Sequence, residues 1–472
     1  MQKTSTAAAH PWLAAFKQYR DIRLLYVFLL GCSSGFPFVL IGSNLTGWLT
    51  DAGISRAEVG LIGAVFVVYA INFLWAPLLD RVQLPFFTRR LGLRRSWIFC
   101  LQGLMLLLIV GVVGTQPAVS LLWTGILALG IAICSATHDI AIDAYRIEII
   151  GSDAGRVPAA SAVSIIGWWT GYSLPGYLAF ANADVVGWSG VYLWMALVMA
   201  LLMVFTLLVR EPVTDREQLQ AAAQLRYAGA LKAGSGRIDR ILVWLSVTVI
   251  EPFADFFRRN GWRLAVSILL FVFLFKIGEA FLGRMSIVFY REIGFSNEDI
   301  AHYSKLIGWG LTVGFTLLGS TINIRYGIVR GLFIGGVAMA ASNLMFAWIA
   351  VTGPDERLFM AAIVVDNFCA AFSTVAFVSL LTWLTGRAFS GAQYALLASL
   401  GNLGRTTLAS GSGTLVDWLG GNWALFFVLT AVMVMPGLIL LLVIGRQLKP
   451  DRESHQRDRV ERPQPDREPS AR

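Results

Sequence analysis

Apolar residues fall in long runs along this chain, and polar residues are gathered into the segments between them. A run of about 20 apolar residues is what an α-helix needs to cross the ~30 Å core of a bilayer. The pattern predicts about twelve such helices. In the first half they cover 24–48, 58–79, 96–115, 119–143, 157–181 and 186–209. In the second half they cover 263–289, 303–324, 329–353, 358–384, 391–415 and 420–445. The pattern also repeats across the midpoint. Asp51, Gly53 and Ser55 precede the second run as Glu292, Gly294 and Ser296 precede the eighth, at the same offsets. Duplicated helical halves related about an axis along the membrane normal are the architecture of secondary transporters. The expected fold is therefore all-α and polytopic, with two pseudo-symmetric six-helix bundles.

Composition agrees with this. Hydrophobic residues make up 56% of the chain and charged residues 14%, against roughly 25% charged in a soluble domain. The net charge of +9 does not point to nucleic acid, because the excess basic residues sit in loops and tails. Arg81, Arg89, Arg90, Arg94 and Arg95 follow the second run, Arg146 and Arg156 the fourth, Arg325 and Arg330 the eighth, and Arg387 the tenth. The intervening connections carry few basic residues. The positive-inside rule then places both termini and the central segment in the cytoplasm. The four cysteines lie in apolar runs without paired or metal-ligand spacing, and neither a metal nor an organic cofactor is implied. Residues 1–23 show no cleavable signal.

The expected organisation is a first bundle over 1–212, a linker over 213–262, a second bundle over 263–446, and a disordered tail over 447–472. The linker contains an apolar run from Ile241 to Ile250, too short to span and suited to an interfacial amphipathic helix. The tail has almost no apolar residues with which to build a core.

Charge at membrane depth is costly and marks function. Lys276 and Glu279 fall near the middle of the seventh run, Asp366 and Asn367 in the tenth, and Asn402 and Arg405 in the eleventh. Two cations and two carboxylates thus share one depth. One protonation would unbalance them, which makes Glu279, then Asp366, the candidate proton carriers. A static salt-bridge network is the alternative reading. Asp139, Asp143 and Arg146 recur at i, i+4 and i+7 on one face of the fourth helix, nearer its cytoplasmic end. That depth suits proton exit or an inner gate, or a polar helix end paired with Arg94 or Arg95. His138 could titrate near neutral pH, though a lone histidine at a helix end is more often simply hydrogen-bonded.

Two motifs carry a family resemblance. Asp80-Arg81, a short loop, then Gly92-Leu93-Arg94-Arg95 resembles the signature loop of the major facilitator superfamily, implying a cytoplasmic gate of Asp80, Arg81, Arg94 and Arg95. Ser135 to Arg146, reading SATHDIAIDAYR, resembles the motif of AmpG-type muropeptide permeases. Gly35-Phe36-Pro37, the segment Phe73 to Arg81, Lys276 to Phe281 and Gln393 to Leu397 match as well, so the likeness covers about Asp21 to Leu442. The resemblance implies proton-driven import of anhydro-muropeptides across a Gram-negative inner membrane, with protons, a small-molecule substrate and the lipid bilayer as partners. It implies no enzymatic activity.

The chain also departs from that family. Asn72 stands where these permeases commonly carry lysine, and Trp168-Trp169 stands where they carry Tyr-Arg. Both sites are at mid-membrane depth. Two cations that could meet substrate carboxylates are replaced, one of them by aromatic surface suited to stacking on sugar rings. The expected cavity is lined by Asn72, Trp168 and Trp169 on one side and by Lys276, Glu279, Asp366, Asn367, Asn402 and Arg405 on the other. An importer of another bulky polar solute, such as a siderophore or a coenzyme-A thioester, is the alternative. A membrane acyltransferase is suggested only by the spacing of His138 and Asp143. A sensor would need an output domain, and no segment here is large enough for one.

Overall fold

The computed structural model describes residues 18–151, 156–212, 214, 246–294 and 307–460, and every regular element among them is helical. The first half contains α1 (Ile22–Asp51), a broken α2 (Arg56–Gly63 through Ala76–Arg81), α3 (Leu93–Val113) and α4 (Leu121–Ile150). The continuous stretch Val157–Leu208 completes it, divided into α5 (157–186) and α6 (188–208) by Gly187, whose φ of 69° no helix interior tolerates. After the linker helix (Glu251–Asn260) come α7 (Trp262–Leu274 with Ile277–Ile293), α8 (Ile307–Tyr326), α9 (Ile328–Thr352) and α10 (Glu356–Leu384). Then follow α11 (Ser390–Ala409 with Ser412–Trp418) and α12 (Trp423–Val432 with Met435–Val460).

Eight helical stretches among the described residues are long and apolar enough to cross a membrane, α5 and α6 counting as one. The expected runs that fall outside this group are α2, α8 and α11. Helix α2 passes through tight 3-10 turns at Ala64–Val67 and Asn72–Leu74, and α11 is interrupted at Ser410 and Gly411. Helix α1 bends after Pro37, where Leu40–Asn44 widens and Gly42 leaves helical geometry.

Small residues let the helices approach at their backbones. Gly31 and Gly35 on α1 face Gly167 and Gly171 on α5. A Cβ on Gly35 would run into the carbonyl of Trp168, and one on Gly171 into that of Cys32. The second half repeats the device: a Cβ on Gly404 of α11 would meet the carbonyl of Phe273 on α7. The repeated turn is visible too, since Gly53 and Gly294 both have positive φ, 74° and 108°. Ser55 then caps α2 in a reciprocal capping box with Glu58.

The molecule has a linker end and a far end. At the linker end one apolar cluster joins both halves, with Leu24, Ile147 and Val157 packed among Phe271, Leu380 and Tyr394. Toward the far end the clusters are separate, one built on Phe36, Trp48 and Tyr192, the other on Phe289, Phe346 and Phe427. The halves are closed together at the linker end and part toward the far end.

In the linker, the described end of the apolar run, Ser246–Ile250, is a π-helical turn that continues directly into the helix Glu251–Asn260. Residues 241–245 of that run lie outside the described residues. Helix α12 continues to Val460, into the segment expected to be disordered. Residues 461–472 are outside the described residues.

Candidate functional site

The linker end is closed by a buried ion cluster. The short loop between α2 and α3 turns the start of α3 inward, so that Arg94 is fully buried. Its guanidinium donates to Asp80 Oδ1 and to Glu148 Oε1, both at 2.6 Å, to the Leu79 carbonyl at 3.0 Å and to Ser390 Oγ at 3.0 Å. Asp80 also reaches across to the second half. Its Oδ1 accepts from the Gly391 N–H (3.0 Å) and its Oδ2 from the Ala392 N–H (2.8 Å). These are unpaired donors in the first turn of α11, where the helix dipole favours an anion. Ser390 Oγ donates to Glu148 Oε1 at 2.7 Å. The positive end of α11 thus faces the Asp80 carboxylate.

The other expected gate residues diverge. Arg146 acts between the halves, donating to Thr382 Oγ1 (2.8 Å) and to Asp143 Oδ1 (2.9 Å), with its guanidinium 5.1 Å from the centre of the Tyr394 ring. Asp143 therefore pairs with Arg146 and not with Arg94 or Arg95. Arg81 turns to the linker, donating to Thr248 Oγ1 at 3.3 Å. Arg95 stays within the first half, where it donates to the carbonyls of Thr206 (3.2 Å) and Leu207 (2.6 Å) at the C-terminus of α6. Beside it Glu211 accepts from the N–H groups of Arg94 (2.8 Å) and Arg95 (3.0 Å) and caps α3. Burial pushes the Glu211 carboxyl up, and those two N–H groups oppose the shift.

The linker helix grips the same part of α11. Gln393 is 2% exposed; its Oε1 accepts from Arg259 (2.6 Å) and from the Gly386 N–H (2.7 Å). Its amide donates to the Pro252 carbonyl (2.8 Å) and to Asp255 Oδ2 (3.1 Å).

At mid-depth the second half brings together most of the charges expected there. Lys276, at the break in α7, donates to the Glu279 carboxylate, to Ser373 Oγ (2.9 Å) and to Thr374 Oγ1 (2.8 Å). Asp366 accepts from Ser342 Oγ at 3.2 Å. Arg405 and Asn402 are exposed on α11. Asn367 is turned aside: its Oδ1 accepts from Thr312 (3.4 Å) and its amide donates to the Ile363 carbonyl (2.8 Å).

In the first half, Trp168 and Trp169 sit in an aromatic cluster. Asn72, expected to line the cavity wall, is buried and spent on a bridge between the halves, accepting from Ser399 Oγ at 2.9 Å. Asp139 accepts from Ser34 Oγ at 2.7 Å. His138 is fully buried and faces Ser33 (3.4 Å), so His138 and Asp143 have separate partners and do not form an acyl-transfer pair. Sequence reasoning missed Glu148, Thr382, Ser390 and Ser399. Glu148 stands two residues after Arg146, and a second carboxylate beside a cluster of arginines was the signal available.

No family model matches the chain. It is 33% identical over 442 residues to the anhydromuropeptide permease of Escherichia coli K12, covering 93% of this chain and 82% of that protein. It is 32% identical over 434 residues to putative transporter AmpG 4 of Rickettsia felis, covering 92% and 99%. Among solved structures it resembles the proton:xylose symporter XylE of the major facilitator superfamily, with a TM-score of 0.61 and 17% identity over 90% of this chain and 94% of that one. It also resembles the human organic anion transporter MFSD10, with a TM-score of 0.53 and 17% identity over 90% and 99%. These likenesses establish the fold as the twelve-helix bundle of that superfamily.

Proposed function

The chain belongs to the AmpG permease family, and from that premise we propose that it imports anhydro-muropeptides from periplasm to cytoplasm, driven by protons, through alternating access. The linker end, where the basic loops gather, is the cytoplasmic face by the positive-inside rule, with both termini there and the protein in the inner membrane. The first bundle, through residue 212, and the second, from 263 to 446, rock as bodies about the central cavity. The arrangement described is then the outward-facing state.

The observation that carries this reading is the division of labour by depth. The Asp80–Arg94–Glu148 cluster closes the cytoplasmic end onto α11, and the charges around Lys276 and Glu279 stand beyond it at mid-depth. Protonation of Glu279 removes the partner of Lys276 and leaves a buried cation beside Arg405. Substrate carboxylates can then replace the lost anion, which couples proton and substrate binding at one place. Asp366 is the second candidate carrier. Asp139 and Asp143 lie between this site and the gate, on a route for proton release. The gate is made by Asp80, Arg94 and Arg146 with Glu148, and Arg81 joins it to the linker.

The experiment is uptake of labelled anhydro-muropeptide into proteoliposomes, with and without an inward proton gradient. Gradient-dependent accumulation is expected. Glu279→Gln should abolish accumulation and leave substrate exchange intact, and accumulation that survives unchanged removes Glu279 from the proposed role. A second reading, import of another bulky polar solute, is favoured by the first half's wall, where Asn72 and Trp169 replace cations. Uptake of a siderophore or a coenzyme-A thioester in place of the muropeptide would select it.

A further inference from the structure

Six aromatic side chains of the first half are in ring contact near mid-depth, and they come from three helices. On α5, Trp168 stacks on Tyr172 with centroids 5.4 Å apart and planes 7° apart, and it meets Trp169 edge-on at 5.2 Å. Trp168 also meets Phe38 of α1 at 5.2 Å. Phe38 in turn meets Tyr69 of α2 at 4.4 Å and Phe66 at 5.6 Å. Helices α2 and α5 both reach the second half, α2 through Asn72 and Ser399, α5 through Val157 and Ala160 in the shared apolar cluster. A band of rings running from α5 over α1 to α2 therefore crosses the face turned toward the second half. Tyr69 lies one helical turn from Asn72 on its far-end side, so the band stands next to the bridge to Ser399.

The rings are not sealed in a core. Five are partly buried, and Trp169 is 37% exposed. Oxygen groups border them. Ser34, one turn before Phe38, donates to Asp139. Partly exposed aromatic side chains with a carboxylate and a serine hydroxyl beside them match a pyranose ring. The C–H face of the sugar is apolar and stacks, while its edge hydroxyls take hydrogen bonds. A purely apolar solute would leave the Asp139 carboxylate facing a group that cannot bond it. The opposite wall is chemically different, bearing Lys276, Glu279, Asp366 and Arg405.

We infer that the aromatic band is a carbohydrate subsite. It orients a glycan–peptide ligand with its sugar on the first half and its charged peptide on the second. The inference rests on the transport reading above and adds which part of the ligand each half holds. Trp168 and Trp169 become specificity residues for the glycan.

The test uses the full chain in proteoliposomes with three probes: the intact anhydro-muropeptide, its disaccharide without peptide, and the free peptide as competitor. Trp168→Ala should raise the half-saturation concentration for the intact ligand and the disaccharide by about tenfold each, since aromatic contacts contribute on the order of one decade of affinity. Inhibition by free peptide should stay unchanged, and Trp168→Tyr should restore the disaccharide to within about threefold, because it keeps an aromatic face. Arg405→Gln should weaken the intact ligand and leave the disaccharide as it was. The ratio of disaccharide to peptide affinity does not depend on how much protein is folded, so a poorly folding variant still reports. Wild-type uptake with a disaccharide affinity unmoved by both Trp168→Ala and Trp169→Ala overturns the subsite alone. Equal losses for all three probes overturn it too. Wild-type protein that accepts none of the probes overturns the transport reading as well.

Discussion

Replacing Asp80 by asparagine tests the proposed cytoplasmic lock at the point where the halves meet. The side chain keeps its size, but one carboxylate oxygen becomes an N–H₂ facing a backbone N–H of α11 that it can no longer accept from. Only interactions that differ between the closed and open states move the equilibrium. The pair with Arg94 belongs to the first half and persists in both, so it does not count. What is lost on the closed side is one charge-assisted hydrogen bond, about 2 kcal/mol, and the attraction of a full charge to the helix terminus, about 1 kcal/mol. The sum of about 3 kcal/mol lowers the weight of the closed state roughly a hundredfold. The assay begins with a chain in which Cys32, Cys100, Cys134 and Cys369 are serine and Ala395 is cysteine. Ala395 is 5% exposed and packs with Leu79 and Ile140 behind the lock. Its labelling by a membrane-impermeant maleimide from the cytoplasmic side measures the open fraction directly. Asp80→Asn should raise that rate by up to about a hundredfold, and Asp80→Glu, which keeps the charge, by far less. A rate within twofold of the parent refutes the argument that this carboxylate holds α11.

Gln393→Leu removes the hydrogen bonds that tie the linker helix to α11, and amide exchange across 251–260 should quicken about tenfold while α3 and α4 are unaffected. Unchanged protection there would assign the helix's attachment to Phe256 and its apolar face. Gly171→Ala forces a Cβ against the Cys32 carbonyl and should cost about 1–3 kcal/mol, read as a lowered melting temperature in detergent. Gly283→Ala, with open space around it, is the matched control and should be neutral or slightly stabilising. Thr382→Val removes the Arg146 hydrogen bond to α10 but leaves its contact with Tyr394, and should speed Ala395→Cys labelling by less than Asp80→Asn does. A larger effect than Asp80→Asn would move the main lock to α4 and α10.

The helices were legible in the sequence because bilayer crossing demands long apolar runs, and even the duplicated turn could be read from Gly53 and Gly294. Part of the mid-membrane charge was legible for the converse reason: Lys276 and Glu279 have no place in such runs unless they pair, and they do, while Asp366 bonds to Ser342. What could not be read was which polar residue spends its bonds on which neighbour. Asn72 looked like cavity wall because its depth was right, yet its partner Ser399 lies on another helix of the other half, and no spacing announces that. Arg94 and Arg95 are adjacent and identical in type, but successive helix residues point about 100° apart. One therefore enters the core and the other caps α6.

Duplication left the halves with the same helix order and different chemistry, and the difference bears on how the protein opens. At the end of α2 a carboxylate clamps the start of α11. At the matching end of α8 the residues are Asn323, Ile324, Arg325 and Tyr326, with Arg325 lying over the Tyr326 ring, and no carboxylate stands there to clamp the start of α5. Among the described residues, the start of α5 meets the second half through apolar packing, Val157 and Ala160 lying in one cluster with Leu380 and Leu384. Apolar contacts have no preferred direction, and small side chains slide over one another at little cost. The charge-assisted bonds across the α2–α11 seam, at 2.8–3.0 Å, are either made or broken. Opening therefore needs a discrete rupture at the α2–α11 seam and a glide at the α5–α10 seam. The linker helix, through Gln393, attaches to the seam that must rupture. A motion that parts one edge while the other slides is a rotation, and its axis lies nearer α5 than α2.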